Sequence, residues 1–308
     1  MDQTRRRYLL ALAGSGAVGL AGCSGTGSET PTGSETATEG ETPTEGATPT
    51  ATETATSTDD DSGSQQSADV PRWTSWVPAD LVVSEGYRLV AADVEQVRDQ
   101  FPFESKWDRA VRERANSYGV DPPDLTHIVT IENDGRSATV VTGSFDPEAV
   151  RSHLDVSASE TDSYREFTVV DGSTAVGESA IVENQYQSVL DTRFGSKPAL
   201  GTTDDDWTPL LSTLVDGAVV TAEPGYDGGA SFSTDPLRHG YTINAGIDDL
   251  SKLTGQFLFA STSQASSVYE RDQTELEREF GSNGRSLRRL EQRGRRIVVV
   301  TDQATFDF

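Results

Sequence analysis

From Ser24 to Val70 the chain has no aromatic residue, almost no aliphatic one, ten acids and no base. Folding requires apolar area to be removed from water, and these 47 residues have almost none to remove, so the sequence predicts a disordered stalk. Its recurring "GSET", "ETPTEG" and "ATPTATETAT" are compositional and too irregular for a structural repeat. As a random coil it would span roughly 40 Å, and about 145 Å if proline and glycans stiffened it toward polyproline II. The threonine density suits O-glycosylation, and no Asn-X-Ser/Thr sequon occurs in the chain. Everything able to build a core must therefore come after residue 70.

Before the stalk, "RRRYLLALAGSGAVGLAGCSG" brings three arginines, a short apolar run and the one cysteine together. Residues 8–21 are uncharged, but a spanning helix needs roughly 20 apolar residues, and this run is shorter and rich in glycine. A basic flank, an apolar stretch and small residues before a cut are the grammar of an export signal, predicting removal of residues 1–22. The pair Arg5 and Arg6 resembles a twin-arginine export signal, and "LAGC" resembles a lipobox. That resemblance implies cleavage after Gly22 and a lipid on Cys23, which begins a 23–70 segment of lipidated N-terminus and stalk. The exported domain would then fold without any disulfide in an oxidising compartment.

The net charge of −25 is unevenly placed: residues 71–308 keep 39 acids and 22 bases, or −17. Lys106, Lys197 and Lys252 are the only lysines. A surface this acidic and lysine-poor resembles proteins of extreme halophiles, and it argues against nucleic acid or an anionic membrane surface as partner.

Past residue 70, "PRWTSWVPADLVV" opens the foldable part with Trp73, Trp76, Leu81 and Val83. "SKWDRAVRERANSY" sets Trp107, Ala110, Val111, Ala115 and Tyr118 at helical spacing with arginine and glutamate opposite. "LTHIVTI" and "SATVVTGSF" predict a hairpin turning at Asp134-Gly135. A helix over "FDPEAVRSHL" follows, with Asp146 as N-cap and Pro147 at its first position. "YREFTVV" and "STAVGESAIV" predict a second hairpin at Asp171-Gly172. Later, "DDDWTPLLSTL" predicts a helix and "DGAVVTA" a strand; "HGYTINAGI", with Tyr241, Ile243, Ala245 and Ile247 on one face, and "TGQFLFAST" predict strands. A helix over "SQASSVYERDQTELEREF" and a hairpin over "RSLRRLEQRGRRIVVVT", turning near Gly294, complete the chain. The expectation is an α+β chain of two similar ββαββ units, 71–195 and 196–308, whose antiparallel sheets are covered on one face by helices.

Motifs for chemistry are weak. "GSGAVG" at 14–19 fits a dinucleotide fingerprint in letters alone, since no strand precedes it and the segment should be cleaved. "GESAI" has Ile181 where a nucleophile elbow needs glycine, so Ser179 is read as an ordinary hairpin residue. His127, His153 and His239 form no metal-ligand spacing; His127 alternates with Leu125, Val129 and Ile131, and His153 follows Val150 by three, so both read as partly buried structural imidazoles. Asp59–Asp61 and Asp204–Asp206 lack the pattern of a calcium loop, and the latter should cap the helix beginning at Trp207. No metal and no cofactor is expected.

One stretch departs from the acidic background: Arg285, Arg288, Arg289, Arg293, Arg295 and Arg296 stand against Glu291 alone. Guanidiniums at this density can clamp an anionic cell-surface protein or glycan, or pair with the domain's own carboxylates, and surface charge runs more often do the second. Signal, lipobox and acidic threonine-rich stalk together resemble the surface lipoproteins of haloarchaea, over residues 5 to about 70. That resemblance implies a lipid-anchored protein on the extracytoplasmic face of the cell membrane; the domain itself resembles no known family and has no catalytic motif, so it is expected to bind or scaffold and not to be an enzyme. A solute-binding lipoprotein of a transporter and a surface hydrolase are the alternatives.

Overall fold

The computed structural model describes residues 70–304 apart from 83–86, 134–135, 157–160, 203–205, 225–231, 247–249 and 283–284. Twelve strands form one antiparallel sheet. They are β1 (Arg88–Asp93), β2 (Leu125–Asn133), β3 (Arg136–Gly143), β4 (Thr161–Tyr164), β5 (Phe167–Val170), β6 (Thr174–Val176), β7 (Ala180–Glu183), β8 (Val219–Pro224), β9 (Arg238–Ala245), β10 (Leu250–Leu258), β11 (Arg285–Arg293) and β12 (Arg296–Ala304). Their order across the sheet is β11-β12-β10-β9-β8-β1-β2-β3-β7-β6-β5-β4. The fold is mixed α+β, as expected, but a single sheet runs through the anticipated boundary at 195/196. The joint is the antiparallel pair of β1 and β8, with Leu89 opposite Ala222 and Ala92 opposite Val219.

Helices lie on both faces, not on one. They are α1 (Ala79–Val82), α2 (Val94–Gln100), α3 (Lys106–Tyr118), α4 (Pro147–His153), α5 (Tyr186–Arg193), α6 (Trp207–Leu211) and α7 (Thr262–Phe280), with a 3-10 turn at Arg72–Trp76. Strand side chains alternate between faces, so β1 sends Leu89 and Ala91 to one core and Val90 and Ala92 to the other. On the first face these meet Trp73 and Trp76 of the 3-10 turn, Leu190 of α5 and Trp207 of α6. On the second they meet Val97 of α2, Trp107 and Val111 of α3 and Val150 of α4. Further along the second face, Phe257, Ile297 and Val299 pack against Val268, Leu276 and Phe280 of α7. A strand buried on both faces shows no polar alternation, which is why "RLVAAD" gave no strand signal in the sequence.

Local signals set most element ends. The Ser105 hydroxyl accepts the Asp108 N–H to start α3, Asp146 accepts from Glu148 and Ala149 to start α4, and Ser261 accepts from Gln264 to start α7. Gly119 ends α3 at φ +67°, where a Cβ would come within 2.5 Å of the His153 ring. Two expected strands are each divided. "YREFTVV" turns at Arg165-Glu166, between the paired Tyr164 and Phe167, with Arg165 at φ +56°. Asp191 of α5 holds that turn, accepting from the Tyr164 hydroxyl and the Arg165 guanidinium, each at 2.8 Å. "STAVGESAIV" turns between β6 and β7, which pair Val176 with Ile181. The turn at Asp171 and Gly172 forms as expected, both residues having positive φ.

Candidate functional site

Among the described residues β11 pairs only with β12, so the arginine hairpin occupies an edge of the sheet. Its leucines, Leu287 and Leu290, are three residues apart, a spacing that strict alternation would send to opposite faces. A bulge between Leu287 and Arg289 absorbs one residue and turns both leucines toward the core under α7. Arg288, Arg289 and Arg293 are then left to the outer side. Arg288 pairs with Asp302 at 2.6 Å; Arg289 and Arg293 share Glu291 at 3.2 and 2.7 Å. These three side chains remain 63, 49 and 56 % exposed. Arg295 reaches further, to Asp206 at 2.5 Å and to the Phe259 carbonyl at 3.0 Å, and Arg296 donates to the Pro209 carbonyl at 3.4 Å. Burial, with Arg293 beside it, lowers the pKa of Arg296. Arg285 has no carboxylate partner among the described residues. A charged edge strand also discourages pairing with a strand of another molecule.

A second polar site escapes sequence inspection because its residues are dispersed. A cleft of about 180 Å³ is lined by Arg72, Trp73, Ala91, Asp93, His127 and Val215, among others. Asp93 ends β1 and caps α2, its Oδ1 accepting from the Gln96 N–H at 2.9 Å and its Oδ2 from the Gln96 amide at 3.1 Å. His127 Nε2 stands 4.0 Å from Asp93 Oδ2. Burial lowers the pKa of His127, Asp93 opposes the shift and Arg72 adds to it. His127 shares a face with Val129 and Ile131, but a bulge after Leu125 sends that leucine to the other core. The imidazole therefore lies where the covering of the face ends.

A third site is buried. Arg114, only 9 % exposed, donates to Glu183 Oε2 at 3.0 Å and the Tyr118 hydroxyl at 3.3 Å, tying α3 to the end of β7. Burial alone would lower the pKa of Arg114, but Tyr118 and Glu183 outweigh it and raise the value; burial raises that of Tyr118. The sequence expectation placed the arginines of this helix on the solvent face, which Arg114 contradicts. Its position, three after Val111 and four before Tyr118, lies on the apolar stripe and was the available signal.

No family model, curated protein or solved structure matches the chain. The folded domain is thus placed in no recognised family, as its sequence suggested, and its function must be argued from its own geometry.

The remaining expectations divide. Ser179 is exposed in the turn between β6 and β7. His153 is exposed at the end of α4, not partly buried, because only Val150 of that short helix is deeply inserted. His239 is buried beside Glu223 at 3.8 Å and stacks on Phe257. Asp206 precedes α6 but makes no capping bond from its side chain, which pairs with Arg295 instead. Among the described residues no group of three or more His, Cys, Asp or Glu could hold a metal, and no helix is long and apolar enough to cross a membrane. Cys23, Arg5, Arg6, Asp59–Asp61, Asp204, Asp205, the Asp134-Gly135 turn, Val83 and Ile247 lie outside the described residues.

Proposed function

We propose that the chain is a lipid-anchored extracytoplasmic protein whose domain binds or scaffolds another acidic component of the cell surface, a protein or a glycan. The observation that carries the binding role is the free arginine edge. Arg288, Arg289 and Arg293 are about half exposed in a domain of net charge −17, so their guanidiniums can meet an incoming carboxylate although their own partners Asp302 and Glu291 lie deeper, at 18 and 29 % exposure. Bidentate pairing with such a partner would survive salt that screens longer-range attraction. Arg295 and Arg296 have inward partners and serve the fold.

The test is a membrane pull-down with the native stalk and lipid, using Arg288→Gln/Arg289→Gln/Arg293→Gln. Loss of a partner with an unchanged melting curve supports the reading; retention of every partner removes it. Anchoring is tested separately. Cys23→Ser should release the domain or leave an unprocessed precursor, and Arg5→Lys/Arg6→Lys should block export. A Cys23→Ser protein that matures and stays membrane-bound through washing refutes the lipid anchor. The halophilic reading predicts a melting temperature that rises from low to molar KCl as self-repulsion is screened.

The two-unit reading belongs here as well. Runs β2-β3-β7-β6 and β9-β10-β12-β11 have corresponding strand orders, each is crossed by a helix on the second face, and the preceding strands β1 and β8 pair antiparallel. This arrangement supports two similar units related by a two-fold through the β1–β8 joint. If so, residues 196–308 expressed alone should dimerise through β8; a well-folded monomer would count against it.

A further inference from the structure

The Asp93–His127 cleft carries chemistry unrelated to the arginine edge. Its walls are apolar, made by the Trp73 ring, Ala91 and the exposed Val215, whereas its rim holds one guanidinium, one carboxylate and one imidazole. Arg72 forms no ion pair among the described residues, although the domain has 39 acids against 22 bases. Asp93 spends two contacts on Gln96, and a carboxylate offers about four lone-pair positions, so it keeps accepting capacity. A purely anionic ligand would meet Asp93 and the acidic surface; a purely cationic one would meet Arg72. Opposite charges on one rim suit a molecule that carries both. At about 30 Å³ per water, 180 Å³ is the room of about six waters, the scale of a small molecule such as alanine.

We propose that this cleft binds a small zwitterion of the α-amino-acid type, its carboxylate on Arg72, its ammonium on Asp93 and a short apolar body against Trp73 and Val215. His127 stands beside Asp93 and supplies a hydrogen-bonding nitrogen to the same rim. The inference does not depend on the arginine edge, and either can fail without the other.

The experiment titrates the folded protein with glycine, alanine and valine, following the His127 ring signals by NMR and the heat by calorimetry. Acetate and methylammonium are the single-charge probes. The expected result is saturable binding with a Kd of about 1 mM, at least about tenfold tighter for alanine than for either single-charge probe. Arg72→Gln should weaken alanine at least about tenfold, and Asp93→Asn, which retains an N-cap acceptor, should do the same with the melting curve preserved. Arg278→Gln, an exposed position of α7, should leave binding unchanged. The proposal is overturned if no amino acid binds up to about 100 mM, if acetate or methylammonium binds as tightly as alanine, or if Arg72→Gln binds like the native protein.

Discussion

Arg114 and Arg288 each place a guanidinium against a carboxylate, one under a helix and the other on the edge of the sheet. The contact on the edge is the shorter, 2.6 Å against 3.0 Å, yet Arg288 is 63 % exposed and Arg114 only 9 %. In water an ion pair replaces solvation nearly as good as itself, so its net value is about 0–1 kcal/mol. Inside the protein the solvation is already lost, and removing one partner strands the other. Distance therefore ranks these pairs in the wrong order, and burial ranks them correctly. The exposed arginines of the edge, Arg288, Arg289 and Arg293, are expected to contribute little to stability, whereas removing the single arginine hidden in α3 is expected to cost much.

The strongest way to break this comparison is Arg114→Met. It leaves Glu183 without its guanidinium and the Tyr118 hydroxyl buried without its partner, and should cost about 3 kcal/mol, lowering Tm by on the order of 10 °C. Arg114→Met/Glu183→Met should recover a large part of that loss, because the stranded charge is gone. A single substitution that costs no more than an exposed pair would end the distinction. Arg295→Gln is intermediate. It loses a half-buried pair with Asp206 and a bond to the Phe259 carbonyl, an expected cost of about 1 kcal/mol in urea unfolding.

The half-buried His127 sharpens the comparison through pH. Burial holds its folded pKa below the ordinary 6.5, so between those values the unfolded chain binds the extra proton. Stability should then decline as the pH falls through 6.5, by less than about 1 kcal/mol, and His127→Asn should flatten that slope. Denaturant midpoints between neutral and mildly acidic pH check it; an identical slope in the variant would assign the effect elsewhere. Smallest of all, Arg288→Gln/Arg289→Gln/Arg293→Gln should change stability by about 0.5 kcal/mol or less per side chain, and a larger loss would show that the edge is a structural clamp.

How far the sequence reached differs by element. The helix over 262–280, the hairpin at Gly294 and the Asp146 cap were legible because period, turn residue and capping group are all local. Arg165-Glu166 was missed as a turn because arginine seldom takes the positive φ that Arg165 has there; the contacts of Asp191 from a distant helix hold it. Of the site residues, the arginine hairpin was visible as a compositional anomaly. Asp93 and His127 were invisible as a pair, lying on separate strands that meet only through register, Asp93 opposite His127.

By itself the sequence determined where a core can exist, the acidic character of the surface, and the type of most helices and hairpins, since each follows from neighbouring residues. Only the tertiary structure decided that the strands form one sheet, that both of its faces are covered, and which arginine is buried. Those outcomes depend on pairing between distant segments such as β1 and β8, where the free energy comes from matching two apolar faces at once and no local pattern records the partner.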